Sequence, residues 1–201
     1  DTGAHLIRDT VVNIDFDLKS VKLKNSDDVF YEKLVIATGA NPYIPPIEGN
    51  QLNGVMGFKT QKDLEKILLH IENGLRKAVV VGAGAIGIEL AQALKHKGLD
   101  VTLVDMASQV LPNLVGMEFS QKLTEEIIKN GVHLILNSRV ERIVGSDYVK
   151  EIHLDTGEII YFESPDSCVD NNEKNIPGLV VFATGVIPEL SFINDDKLKI
   201  E

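Results

Sequence analysis

Gly82, Gly84 and Gly87 form the pattern G-x-G-x-x-G between a β-branched run at 79–81 and an apolar-periodic segment at 86–97. In a strand–turn–helix context, Gly82 permits a tight turn, Gly84 lets the backbone approach a pyrophosphate, and Gly87 lets the helix lie close to its strand. Backbone N–H groups and the positive end of the helix dipole attract an anion to that helix N-terminus. The pattern therefore predicts a dinucleotide-binding turn.

Asp105 ends the next predicted strand and follows the first glycine at about the 20-residue spacing typical of a ribose-binding carboxylate. A 2′-phosphate beside it would meet a like charge, and residues 106–109 contain no arginine or lysine to offset that charge. The sequence therefore favours NAD(H) over NADP(H). The alternative is a structural glycine turn with an incidental aspartate, which the combination of strand, glycines, helix and acid makes the weaker interpretation.

Other reactive residue types occur without a supporting pattern. The five histidines form no H-E-x-x-H motif and no Cys/His spacing, so no metal site is predicted. The single cysteine, Cys168, has no histidine or basic residue near it in the sequence to stabilise a thiolate, which argues against a redox role. Glu89, two residues after the last glycine, is by spacing alone a solvated helix carboxylate.

The elements around the glycine turn alternate between strand and helix. Helices are predicted at 61–73, 86–97 and 117–129, and strands at 78–81, 101–104 and 132–136. Short alternating segments predict two antiparallel meanders, one between residues 9 and 31 and one between 139 and 162. This order predicts an α/β fold, a Rossmann-like three-layer domain with an antiparallel β-meander. Phe119, Leu123 and Ile127 are predicted to lie on one face of the third helix.

Two apolar segments, 34–39 and 179–185, both end in Ala-Thr-Gly and predict strands that are buried on both faces. The connection at 41–49 contains three prolines, which neither a helix nor a central strand tolerates, and we place a domain boundary there. The polar stretch 164–178 is predicted to be an exposed loop.

The composition is that of a folded protein, with 44% hydrophobic and 25% charged residues. A formal net charge of −10 would repel nucleic acid and anionic membranes, so the expected partners are small molecules or proteins. One cysteine and the lack of an apolar run of bilayer length favour a reducing, cytoplasmic location. Because the chain begins at Asp1 without a methionine, we expect it to be part of a longer protein.

Three segments, 31–49, 80–89 and 182–188, resemble in order the motifs of the FAD- and NAD-dependent pyridine nucleotide–disulfide oxidoreductases. The resemblance covers nearly the whole chain and is closest to the branch with NADH oxidases and coenzyme A–disulfide reductases. In that family a nicotinamide domain interrupts a flavin domain, and the Ala-Thr-Gly strands lie at the crossings. The resemblance implies part of a split FAD-binding domain at 1–50, an NAD-binding domain at 51–180 and a return crossing at 181–201.

The resemblance also implies an activity, hydride transfer from NADH to FAD and on to oxygen, a disulfide or another acceptor. The family's FAD-binding glycines and redox cysteine would precede Asp1 and its dimerisation domain would follow Glu201, so no catalytic residue is predicted here. The parent enzyme is expected to be a homodimer. Glu89 matches the family's acid near the nicotinamide. The predicted cofactor-binding residues are Gly82, Ala83, Gly84, Ala85, Ile86, Gly87, Glu89, Asp105, Met106, Ala183, Thr184, Gly185, Thr38 and Gly39.

Two other functions stay open at this point. One is a non-enzymatic dinucleotide-binding or redox-sensing module, since the sequence has no evident nucleophile, metal site or complete flavin pocket. The other is part of a ferredoxin or rubredoxin reductase, which ranks lower because an acidic surface docks poorly on an acidic carrier. The terminal electron acceptor is not predicted.

Overall fold

A computed structural model describes residues 3–162 and 178–193. Cys168 and nearly all of the predicted loop at 164–178 lie outside the described residues. The chain divides into two compact units, a smaller one of Asp1–Asn41 with Pro188–Glu201 and a larger one of Pro42–Ile187.

The secondary structure follows the predicted alternation. The strands are β1 (Val11–Asp15), β2 (Ser20–Leu23), β3 (Val29–Phe30), β4 (Ala40–Pro42), β5 (Val55–Gly57), β6 (Lys77–Val81), β7 (Asp100–Val104), β8 (His133–Ile135), β9 (Val140–Gly145), β10 (Val149–Leu154), β11 (Ile159–Tyr161), β12 (Leu179–Phe182) and β13 (Val186–Pro188). The helices are α1 (Gln61–Glu72), α2 (Ala85–His96) and α3 (Met117–Lys129). The three predicted helices are confirmed.

The larger unit is built on a parallel sheet with the strand order β5-β12-β6-β7-β8. One face of the sheet packs against the helices, in a core that joins Val80 and Leu103 to Ala91 of α2. The other face packs against the antiparallel sheet β11-β10-β9, in a core that joins Phe182 to Ile152. The predicted three-layer α/β fold with a meander is therefore confirmed, and it buries the central strands on both faces.

The smaller unit contains the first predicted meander, an antiparallel sheet in the order β1-β2-β3. The prediction of a buried strand at 34–39 is wrong for this chain. The segment is not a strand, and Val35 is 86% exposed. A strand of this kind is stable only between two neighbouring strands, and none of the described strands pairs with it.

Two features of the structure were not indicated by the sequence. Phe119 is 61% exposed, and the buried residues of α3 are Ser120 and Ile127. The hydroxyl of Ser120 donates to the carbonyl oxygen of Val110 at 2.9 Å, so this buried polar group is hydrogen-bonded. The strands β4, β5 and β13, of three residues each, were not predicted from the sequence.

Candidate dinucleotide-binding site

The glycine turn lies between β6 and α2, and its backbone is closely packed. Gly82 has φ +110°, a conformation that favours glycine, and a Cβ there would lie 2.7 Å from the carbonyl oxygen of Ala183. A Cβ on Gly87 would lie 1.8 Å from the carbonyl oxygen of Gly82. The glycine turn therefore contacts both α2 and the residue after β12 at distances that only glycine permits at positions 82 and 87.

Gly84 differs from the other two glycines because it faces open space. No heavy atom lies within 4 Å of the position that a Cβ would take. Gly84 is the N-cap of α2, which has neither a side-chain capping hydrogen bond nor an acidic residue in its first turn. The first N–H groups of this helix are thus left without a side-chain acceptor, beside a free approach.

Asp105 follows β7, and its side chain binds a backbone N–H of the glycine turn. One carboxylate oxygen accepts from the N–H of Ala83, inside the turn, and the other accepts from the N–H of Ala107 at 2.7 Å. A carboxylate oxygen has two lone pairs, so each oxygen can accept a further hydrogen bond from a ribose hydroxyl. The structural role of this side chain was not evident from the sequence.

A cavity of about 820 Å³ opens at this edge of the parallel sheet, a size that is typical of ligand sites. The polypeptide segments around it are the glycine turn, the turn after β7, the loop before α3, the start of β9, the end of β12 and the proline-rich connection. The lining residues are Tyr43, Pro45, Ile47, Val81, Gly82, Gly84, Asp105, Met106, Ala107, Leu111, Pro112, Asn113, Leu114, Arg139, Val140, Glu141, Phe182, Ala183 and Thr184.

The family profile described as pyridine nucleotide-disulphide oxidoreductase matches residues 3–201. The chain belongs to this family. The predicted family is thereby confirmed.

Three individual proteins are similar to this chain. A protein named NADH oxidase from Methanocaldococcus jannaschii is 38% identical over 97% of this chain and 41% of its own length. The structure of an NAD-dependent persulfide reductase from A. fulgidus is 35% identical with a TM-score of 0.80, over 95% of this chain and 33% of that one. A water-forming NADH oxidase from Lactobacillus brevis, solved bound to NADH, is 26% identical with a TM-score of 0.71, over 88% of this chain and 37% of that one. This chain therefore spans less than half the length of each of these relatives.

Six of the predicted cofactor-binding residues line the cavity: Gly82, Gly84, Asp105, Met106, Ala183 and Thr184. Ala83, in the turn, and Gly87, in α2, are both buried. Ala85, Ile86 and Glu89 are exposed on α2, and Gly185 follows β12, but none of these four lines the cavity. Thr38 and Gly39 belong to the smaller unit. Contacts with a cofactor stay predictions for all of them.

Several lining residues were missed by sequence reasoning. In the loop before α3, Leu111 has φ +49°, and its N–H donates to the carbonyl oxygen of Ala83 at 2.9 Å. This bond fastens the loop to the glycine turn. Elsewhere in the cavity lining, the Thr184 hydroxyl donates to the carbonyl oxygen of Tyr43 at 2.8 Å. Thr184 was among the predicted residues, but Tyr43 was not, because the proline-rich connection that contains it was interpreted as a domain boundary.

The described ranges contain no cluster of three or more side chains suited to hold a metal ion. Within the same ranges, no helix combines the length and the apolar character needed to cross a bilayer.

Proposed function

We propose that this chain is the NADH-binding part of a flavin-dependent oxidoreductase that passes hydride from NADH to FAD and on to oxygen, a disulfide or another acceptor. The observation that carries the proposal is the N-terminus of α2, which has no side-chain cap and begins at Gly84 on the cavity wall. Relatives that are named NADH oxidase and NAD-dependent persulfide reductase support the same activity.

The residues at the cavity fit a dinucleotide in three respects. Gly84 has no Cβ to obstruct a pyrophosphate, and the first N–H groups of α2 supply donors without a formal charge. Asp105 has acceptor capacity left for ribose hydroxyls. The apolar walls formed by Met106, Leu111 and Leu114 suit the face of an aromatic base.

The contribution of this chain to catalysis is binding and orientation. When bound, NADH supplies the hydride and FAD receives it, since these cofactors carry the redox chemistry. The helix N-terminus would hold the pyrophosphate, and Asp105 would fix the adenosine ribose. The Asp105 carboxylate also accepts from the N–H of Ala83 in the turn. A hydrogen bond would therefore link the residue that binds the ribose to the turn that binds the pyrophosphate.

The proposed domains are part of a split FAD-binding domain at 1–50, an NAD-binding domain at 51–180 and a return crossing at 181–201. Residues 1–41 of the first range belong to the smaller unit, and residues 42–50 belong to the larger one. Within the smaller unit, Thr38 donates its hydroxyl to the carbonyl oxygen of Glu189 at 2.8 Å, and the Glu189 N–H donates to the carbonyl oxygen of Gly39 at 3.0 Å. These bonds join the two predicted crossings. A homodimeric parent enzyme and a cytoplasmic location complete the proposal, supported by the family resemblance and by the single cysteine.

Calorimetric titration of this chain with NADH, NADPH and FAD in parallel tests the proposal. We expect NADH to bind with a submillimolar Kd and more tightly than NADPH, because Asp105 opposes a 2′-phosphate. FAD is not expected to bind to this chain alone. Failure of both nicotinamide dinucleotides to bind would contradict the proposed function.

A further inference from the structure

The cavity is lined by a positively charged side chain, which the residues directly after Asp105 do not suggest. Residues 106–109 include no arginine or lysine. The fold nevertheless brings Arg139 to the cavity wall, because the N–H of the preceding Ser138 donates to the main-chain carbonyl oxygen of Asp105 at 3.0 Å. Arg139 is the only cation among the described lining residues, which also include the acids Asp105 and Glu141.

The backbone of Arg139 is fixed by Asp155, whereas its guanidinium is only weakly held. The N–H of Arg139 donates to Oδ1 of Asp155 at 2.9 Å, and the N–H of Asp155 donates to the carbonyl oxygen of Arg139 at 3.0 Å. The ion pair between Nε and Oδ2 is longer, at 3.8 Å, and the arginine side chain is 68% exposed. An exposed ion pair of this kind contributes little to stability, so the guanidinium can leave Asp155 for an anion of higher charge while the Cα of Arg139 stays in place.

We propose that Arg139 leaves Asp155 to bind the 2′-phosphate of NADPH and thereby limits the preference of this site for NADH. The proposal rests on the proposed function, since it takes Asp105 as the ribose-binding acid. The main chains of Asp105 and Ser138 are hydrogen-bonded, and Asp105 and Arg139 line the same cavity. A guanidinium is suited to phosphate by charge and by its paired donors. Asp105 repels the 2′-phosphate and Arg139 attracts it, so NADPH binding is weakened without being abolished.

Four forms of the chain test this proposal: wild type, Arg139→Ala, Asp155→Asn and the double variant. Each is titrated with NADH and NADPH, and with 5′-AMP and adenosine 2′,5′-bisphosphate as probes of the adenosine half. Arg139→Ala should weaken NADPH and the bisphosphate by about three- to tenfold, and NADH and AMP by less than about twofold. The differences should shrink at high ionic strength, because exposed charges are screened.

Asp155→Asn keeps an oxygen for the N–H of Arg139 and removes the charge that competes for the guanidinium. It should strengthen NADPH binding by about two- to threefold, and this gain should vanish in the double variant. Glu158→Gln is the matched control, because it removes the same charge from an exposed residue near Asp155 that does not line the cavity. Its effect should be smaller than that of Asp155→Asn.

The possible failures can be told apart. Equal weakening of NADH and NADPH by Arg139→Ala would mean that Arg139 binds a phosphate common to both, and would overturn the proposal while leaving the proposed function intact. A gain from Asp155→Asn that survives in the double variant would also overturn it. If neither dinucleotide binds to the wild-type chain, the proposed function fails, and the Arg139 proposal fails with it.

Discussion

The N-termini of α1 and α2 lie in the same unit and are completed in opposite ways. In α1, Thr60 is the N-cap, and its hydroxyl oxygen accepts from the N–H of Asp63 at 3.3 Å. The Asp63 carboxylate in turn accepts from the N–H of Thr60 at 2.8 Å and of Lys59 at 3.1 Å. This reciprocal capping box satisfies the end of the helix from within the chain.

The α2 terminus has Gly84 at the N-cap, no side-chain cap and no acidic residue in the first turn, and it borders the cavity. A missing cap is not by itself informative, because α3 also begins after a glycine, Gly116, without a side-chain cap. Helix α3, however, has Glu118 in its first turn, and Gly116 does not line the cavity. The end that combines missing acceptors with open access is the one that fits an external anion.

The largest expected effect comes from adding a methyl group at Gly87, where α2 packs against the glycine turn. In Gly87→Ala the new Cβ would lie 1.8 Å from the carbonyl oxygen of Gly82, so the turn or the helix must move. We expect the free energy of unfolding to fall by about 1–3 kcal/mol, and NADH binding to be lost. Urea denaturation and calorimetry measure the two effects. Unchanged stability would show that the close approach of helix and strand is not required.

A substitution on the open side should separate binding from folding. Gly84→Ala places a methyl group in free space, so stability should change by no more than about 1 kcal/mol, whereas NADH affinity should fall by at least about tenfold. Gly116→Ala is the matched control, because Gly116 is also an N-cap glycine with nothing within 4 Å of its Cβ position. If both variants bind NADH as tightly as the wild type, Gly84 does not border the pyrophosphate.

The capped helix should show the reverse pattern. Thr60→Ala removes the hydroxyl of the N-cap and should lower the free energy of unfolding by about 1 kcal/mol without changing the Kd for NADH. Thr60→Ser retains the hydroxyl and should retain most of the stability. A loss of NADH affinity in Thr60→Ala would mean that the two helix ends are coupled.

The smallest expected effect is the pH dependence of the α1 cap. Partial burial opposes the charged form of Asp63, but the hydrogen bonds from Thr60 and Lys59 outweigh it and hold the pKa of this carboxyl below its ordinary value of 3.8. A lowered folded-state pKa gives stability that is present above pH 3.8 and is lost as the pH falls through the folded-state pKa. The stability difference between wild type and Asp63→Asn should therefore shrink on acidification below that value. An unchanged difference would argue against an ionised Asp63 in the cap.

The two Ala-Thr-Gly segments show how far the sequence alone could lead. Residues 179–182 form β12, buried between β5 and β6, as predicted. Residues 34–39 have a similar sequence, yet they are not a strand. An apolar run encodes the capacity to be buried, but neighbouring strands decide whether burial occurs, and the described residues supply such neighbours only to β12.

The site was predictable to a similar extent. The glycines and Asp105 were found because their spacing is local and each has a separate physical role. Arg139 and Leu111 reach the cavity through hydrogen bonds that run from Ser138 to Asp105 and from Leu111 to Ala83. These contacts follow from how β7, β8 and the loop before α3 pack, which no local pattern records. The burial of Ser120, whose hydroxyl donates to the carbonyl oxygen of Val110, is likewise a tertiary contact that no local pattern records.

Backbone amide NMR of this chain during titration with NADH tests the central claim most directly, because it observes both helix ends in one sample. The account predicts large shifts for the amides of Ala85, Ile86 and Gly87, and little change for those of Gln61 to Asp63, whose end is already capped. If NADH binds while the amides at the start of α2 stay unmoved, or if those of α1 shift as much, the α2 terminus is not the anion site.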